Sequence, residues 1–178
     1  MLYYFLVSIL SFWRSEMKKV FLMRHAKSSW KDSNVPDHER PLKKRGEKDA
    51  ETMAKLLKKK KLTPDSILCS SAERAHQTAV ILKDKCNLKG KINYFDKLYM
   101  AEVPDLVSVV KKTSNKDKSV LVIGHNPGME AFLQRLTGKV ETLPTASIAY
   151  ITLPIDDWED LNDEVEGKLK KLWRPKDL

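Results

Sequence analysis

Cysteine is scarce in this chain. There are two, Cys69 and Cys86, among 178 residues, and they form no CxxC pair. That argues against a disulfide framework or a thiol redox motif. Both are expected to be reduced packing residues of a cytoplasmic protein. Long apolar runs are also missing. The nearest approach, Met1 to Trp13, is broken only by Ser8 and Ser11. It is shorter than the roughly 20 apolar residues a spanning helix needs. It also lacks the basic start and small-residue cleavage site of a secretory signal, so no membrane association is expected. Met17 leads directly into the first strand pattern. Residues 1–16 are therefore expected to be an apolar extension, not native or peripheral, and residues 17–178 a single domain. The four histidines, His25, His38, His76 and His125, show neither HExxH nor Cys/His clustering, so no metal site is expected. There is no internal repeat, linker or low-complexity segment.

The chain is rich in lysine. Its formal net charge is +9, with lysines clustered at Lys58 to Lys61, Lys111-Lys112, and Lys168, Lys170 and Lys171. These lysines are not interleaved with aromatics, and no nucleic-acid motif accompanies them. They read as solvated helix ends and loops, with a general attraction for anionic substrates. RNA binding through them is the weakest of the alternatives.

Apolar periodicity organises the rest. Residues 18–24 read as a strand and residues 27–40 as a polar loop. A helix follows Arg40-Pro41-Leu42, with Ala50, Met53, Ala54 and Leu57 on one face. Residues 65–70 read as a short buried strand. A helix from Ala72 carries Ala75, Ala79, Leu82 and Cys86, and residues 91–95 form a third strand. Pro104 opens a helix with Leu106, Val109 and Val110. Residues 119–123 form a buried strand that ends at Gly124-His125-Asn126-Pro127. Asn126 is the expected N-cap and Pro127 the first residue of the next helix, which Gly138 stops. Residues 146–153 and 167–173 read as further strands, the latter at an edge. Strands alternating with helices predict an α/β fold, a three-layer sandwich around a mostly parallel sheet.

Parallel strands place their carboxyl ends on one edge, where ligands bind in open α/β sheets. Three junctions on that edge carry chemistry. Arg24 and His25 follow the first strand, Ser70 and Arg74 the second, and His125 the 119–123 strand. Two arginines, two histidines and two helix N-termini suit a phosphoryl group. One histidine, kept neutral by the arginines, could attack phosphorus, while the other donates a hydrogen bond to the transferring group. Singly, each residue has an ordinary structural reading. Arg74 could pair with Glu73 or Glu47, for example.

Met23-Arg24-His25-Ala26-Lys27-Ser28, Ser70-x-x-x-Arg74-Ala75-x-Gln77-Thr78-Ala79 and Gly124-His125-Asn126-Pro127 together resemble the histidine phosphatase superfamily. The short chain, and Arg40-Pro41-Leu42 followed by Gly46, are similar to its compact branch, the SixA-type phosphohistidine phosphatases. The resemblance spans about residues 17–175. It implies a phosphoglycerate-mutase-like fold and a cofactor-independent, metal-independent phosphatase with His25 as nucleophile. Arg24 and Arg74 would hold the phosphate, His125 would complete the pocket, Arg40 would close over it, and Ser70 would support it. His38 and His76 match no catalytic position.

There are two departures from the family pattern. Its usual glycine after Arg-His is Ala26, a cost only where positive φ is needed. The carboxylate acid of larger members has no firm counterpart: Glu102 is nearest and Asp105 fits less well. Lacking a strong acid favours a labile phosphoramidate substrate over an ester. The implied partner is a phosphohistidine-bearing protein. A small phosphorylated metabolite, hydrolysed by a phosphomonoesterase of the same chemistry, is the alternative. A non-catalytic phosphate-binding module is another.

Overall fold

The computed structural model describes residues 17–31 and 33–178, so the expectation for residues 1–16 lies outside the described residues. Among the described residues, six strands form one sheet: β1 (Lys18–Arg24), β2 (Ser66–Ser70), β3 (Ile92–Phe95), β4 (Ser119–Gly124), β5 (Ile148–Leu153) and β6 (Lys168–Trp173). Their spatial order is β3-β2-β4-β1-β5-β6. The first four in that order run parallel, while β5 and β6 are antiparallel to their neighbours. The sheet is thus mostly parallel, and β6 occupies the expected edge.

Alternation along the central strands feeds two cores. Val20, Leu22, Leu68, Val120 and Val122 point to one face. Phe21, Met23, Ile67, Cys69, Leu121 and Ile123 point to the other. Both faces need cover because strands in parallel sheets are apolar on both sides. Helices α1 (Lys44–Lys59) and α2 (Glu73–Cys86) cover the second face, burying Ala50, Met53, Leu57, Ala75 and Leu82. Helices α3 (Val103–Val110) and α4 (Gly128–Thr137) cover the first, with Leu106, Phe132, Leu133 and Leu136. Each fully buried Leu or Phe contributes about 1.5–3 kcal/mol, so the site rests on two well-anchored layers. Lys58 to Lys61 are exposed around the end of α1. Cys69 and Cys86 are free and buried, and burial pushes both thiols up, Cys86 to about 11.

The structure departs from the sequence reading at two joints. Helix α4 begins at Gly128 and its N-cap is Pro127, not Asn126. The Asn126 amide instead donates to Glu130 Oε1 at 2.7 Å and to the Leu143 carbonyl at 3.1 Å. A longer-range pair of acceptors wins over local capping. Strand β5 starts at Ile148, two residues later than expected. Ala146 has φ +63°, which extended pairing does not tolerate, and its N–H donates to the carbonyls of Arg24 and His25. That strained alanine pins the backbone beneath the nucleophile candidate.

Candidate functional site

The carboxyl ends of β1, β2 and β4 lie side by side, as the registers Arg24↔Gly124 and Cys69↔Ile123 require. They bring Arg24, His25, Arg74 and His125 around one cavity of about 320 Å³, and the 27–40 loop adds Arg40, Asp37 and Trp30 to its wall. Four of the residues expected at the site from three separate junctions, and Arg40 from the loop, therefore converge.

His25 is buried, 8% exposed. Its Nδ1 lies 2.7 Å from the Ala26 carbonyl, which can only accept, so Nδ1 carries the proton of the neutral ring. Nε2 then presents a lone pair, and Arg74 Nε donates to it at 3.3 Å. Burial lowers the His25 pKa to about 4; the Ala26 hydrogen bond opposes the shift, and the charges of Arg74, Arg24 and Arg40 reinforce it. The ring is neutral at pH 7. Ala26 is buried and keeps a negative φ, so a glycine is not required there. Its N–H is held by Thr78 Oγ1 at 3.1 Å, and Thr78 in turn donates to the Arg74 carbonyl.

His125 is equally buried, its ring centroid 4.8 Å from that of His25. A guanidinium has no acceptor, so His125 Nδ1 accepts from Arg74 Nη2 at 3.3 Å, and its proton sits on Nε2, 2.8 Å from Ser70 Oγ. Burial, then the neighbouring His25 and Arg74, lower its pKa to about 3. For His125 to donate to a phosphoryl oxygen through Nδ1, it must take up a proton as the dianion arrives. Ser70 is fully buried behind His125 and lies off the cavity wall. Its position is that of a holder of His125, not of a group touching substrate.

Arg74 uses its two edges differently. The Nε/Nη2 edge faces the two histidines. The Nη1/Nη2 edge is gripped by Asp37, through its carbonyl at 2.5 Å and its carboxylate at 2.9 Å. The expected alternatives, Glu73 and Glu47, do not pair with it: Glu73 takes the Gln77 amide and His76. Asp37 also accepts from Arg40 Nη1 at 2.5 Å and from the Tyr99 hydroxyl at 2.8 Å. Burial raises the Asp37 pKa, but the Tyr99 bond, the Arg74 charge and the bonds from both arginines outweigh it and set it at about 2. Arg40 is fixed further by the Ser29 carbonyl and Ser28 Oγ, and its guanidinium lies 3.2 Å from the Trp30 ring centroid. Arg24 donates to the Leu143 carbonyl at 3.0 Å, while its buried Nε finds no partner among the described residues. A buried, open N–H beside the cavity is a donor suited to an oxyanion.

Asp37, Tyr99 and Ala146 were given no role at the site from the sequence, and Thr78 entered only as part of the motif around Arg74. Asp37 stands three residues before Arg40, and that acid–base spacing was the available signal. Glu102 is exposed ahead of α3 and lies off this cavity; it lines a neighbouring recess instead. Its backbone N–H approaches Asp105 Oδ2 at 3.4 Å, so Asp105 serves the helix start. His38 bonds Ser71 at 3.0 Å and His76 lies beside Glu73, both away from the cavity. Among the described residues, no group of three or more His, Cys, Asp or Glu side chains gathers as metal ligands do, and no helix is long and apolar enough to cross a membrane.

The sequence model of the histidine phosphatase superfamily (branch 1) matches residues 20–98. An uncharacterised chloroplastic protein of Arabidopsis thaliana is 30% identical over 152 residues, 80% of this chain and 70% of that one. A SixA structure from Agrobacterium tumefaciens aligns with a TM-score of 0.76 at 28% identity, over 89% of this chain and 98% of its own. A structure of the protein histidine phosphatase SixA complexed with tungstate aligns with a TM-score of 0.77 at 27% identity, over 89% and 98% of the two chains. The sequence match runs through Arg24-His25 to Arg74, and the structural matches extend it to the whole sheet and its helices. The chain belongs to the histidine phosphatase superfamily, is SixA-like within it, and is a phosphatase.

Proposed function

We propose that the chain hydrolyses phosphohistidine on a protein partner, through a phosphorylated His25. The observation that carries this reading is the lone pair of His25 Nε2, left unprotonated by the Nδ1 bond to Ala26 and met by the edge of Arg74 that serves the two histidines. A phosphoryl group entering there takes over the Arg74 donors that now serve the two histidines. Arg24 Nε offers a further donor, and Arg40 closes the loop side. Positioning and charge stabilisation supply most of phosphoryl-transfer catalysis.

In the first displacement His25 Nε2 forms a bond to phosphorus. The bond to the leaving nitrogen breaks, and its electron pair stays on that nitrogen. In the second, water oxygen bonds to phosphorus and the His25 N–P bond breaks. Its electrons return to Nε2, the water proton goes to solvent, and inorganic phosphate leaves. Because Nδ1 is already protonated, His25 departs as a neutral imidazole. Its low pKa, set by burial and reinforced by the surrounding arginines, keeps it unprotonated and able to attack at pH 7.

The test is turnover of a phosphohistidine-bearing protein and of an activated aryl phosphate, with chelator present, by wild type and His25→Ala. Turnover that survives chelation and disappears in the variant supports the reading. A wild type that prefers small phosphate esters moves the substrate to a metabolite. Binding without turnover would make the chain a phosphate-binding module.

A further inference from the structure

A second cavity, about 470 Å³, opens between the starts of α3 and α4. It adjoins the phosphoryl cavity, because Met100, His125 and Asn126 line both. Its walls are mostly apolar, with Val103, Pro104, Pro127 and Ala131 among them. Among the described residues, Glu102 is the one carboxylate lining it, and no lysine or arginine does. At the divide stands Met100, 78% exposed and held at φ +55°. A non-glycine residue in the left-handed region is strained, and such strain gathers at ligand-binding sites.

We propose that this recess receives the leaving group, and that its chemistry selects an imidazole ring. The inference rests on the phosphatase reading of His25 and names where the other half of the substrate sits. A phosphoryl group beside His125 has the recess on its flank. An aromatic ring suits the apolar walls, and the Met100 thioether packs well against one. The single carboxylate favours a ring carrying positive charge, which phosphohistidine has when its distal nitrogen is protonated. Such a ring leaves as a neutral imidazole: the P–N electron pair goes to the departing nitrogen, and no acid need protonate it. Glu102 then acts by favouring the protonated ring, not by donating a proton to the leaving atom. A leaving group bearing carboxylates or phosphates meets no cation there and is disfavoured.

The test compares kcat/KM for phosphohistidine in a short neutral peptide blocked at both ends with that for phosphoramidate, whose ammonia leaving group is too small to fill the recess. Ala131 is exposed on α4, so Ala131→Phe fills the recess without touching the core. It should lower the phosphohistidine-to-phosphoramidate ratio by about tenfold or more. Glu102→Gln keeps the shape and should lower the same ratio by about twofold to fivefold. A ratio unchanged in both variants overturns the proposal, even if both rates fall together. Failure of the underlying reading looks different: wild type turns over neither substrate, or His25→Ala retains activity.

Discussion

Asp37→Asn separates geometry from charge in the phosphoryl site. The carboxylate bonds Arg40 at 2.5 Å, Arg74 at 2.9 Å and Tyr99 at 2.8 Å. Asparagine keeps one acceptor oxygen and loses the charge. Hydrogen bonds to charged groups are worth about 1.5–3 kcal/mol each. The Asp37 side chain is 46% exposed, so solvent screening brings the expected loss of stability to about 1–2 kcal/mol. The kinetic effects should have opposite signs. Arg74 stays tethered by the Asp37 carbonyl, but its other end-on bond weakens, so the edge facing the histidines loses alignment. A misplacement of about 1 Å can cost on the order of 100-fold in rate, and kcat should fall by about 10- to 100-fold. Removing a negative charge beside a bound dianion should meanwhile favour anion binding, by about 1 kcal/mol at a separation of roughly 6 Å in a half-exposed site. The Ki for inorganic phosphate should therefore hold or tighten by up to about fivefold. Steady-state kinetics with phosphate as inhibitor read both quantities. An unchanged kcat, or phosphate affinity falling in step with kcat, would refute the reasoning.

Four further outcomes follow from the same geometry. On the proposed mechanism His25 attacks as the neutral ring, and its pKa is lowered to about 4; kcat/KM should stay level as pH falls through 6.5 and decline only on approach to 4, with the histidine pair titrating together. A midpoint near 6.5 in the pH–rate profile would contradict this. Ser70→Ala removes the acceptor of the buried His125 Nε2–H; thermal unfolding should show a loss of about 1–3 kcal/mol, with kcat reduced. Trp30→Ala removes the ring under Arg40 and should raise KM by about twofold to fivefold, since exposed cation–π contacts are worth about 0.5–1 kcal/mol; Tm should barely move. Gly46→Ala places a Cβ 2.2 Å from the Lys27 carbonyl, so denaturant unfolding should show about 1–3 kcal/mol lost as α1 and the 27–40 loop are pushed apart.

Much of the fold was legible because burial imposes period. The β1, β2 and β4 runs are apolar on both faces, and α1 and α4 carry one-sided stripes, so their existence and approximate ends could be read. The parallel direction of β1, β2 and β4 then put Arg24-His25, Arg74 and His125 on one edge. What could not be read depends on contacts between segments far apart in sequence. The Asn126 amide prefers Glu130 and Leu143 to its own helix start. Ser70 looks like a site residue from its position after β2, yet it turns behind His125. Asp37 sits in a polar loop without period, and its importance appears only when that loop folds over α2. Glu102 was nearest to the expected acid along the chain, but the structure sets it in the neighbouring recess.

The arrangement also addresses a conflict between nucleophile and clamp. Arginines close enough to hold a dianion suppress protonation of His25, which helps attack. On the proposed mechanism the same charges hold product and slow its release. A carboxylate within the cluster moderates this, since Asp37 offsets part of the charge of Arg40 and Arg74 without occupying the edge that faces the histidines. It sits half-exposed at the rim, where Tyr99 and the two arginines together outweigh the desolvation of its charge, while both arginines are buried. Its position therefore serves two ends at once: it aligns the open edge of Arg74 and limits how tightly phosphate is held. On this argument a site without Asp37 would bind its product better and turn over more slowly, and a charge of the same sign restored by Asp37→Glu should recover weak product binding before it recovers kcat, because charge tolerates a longer side chain and alignment does not.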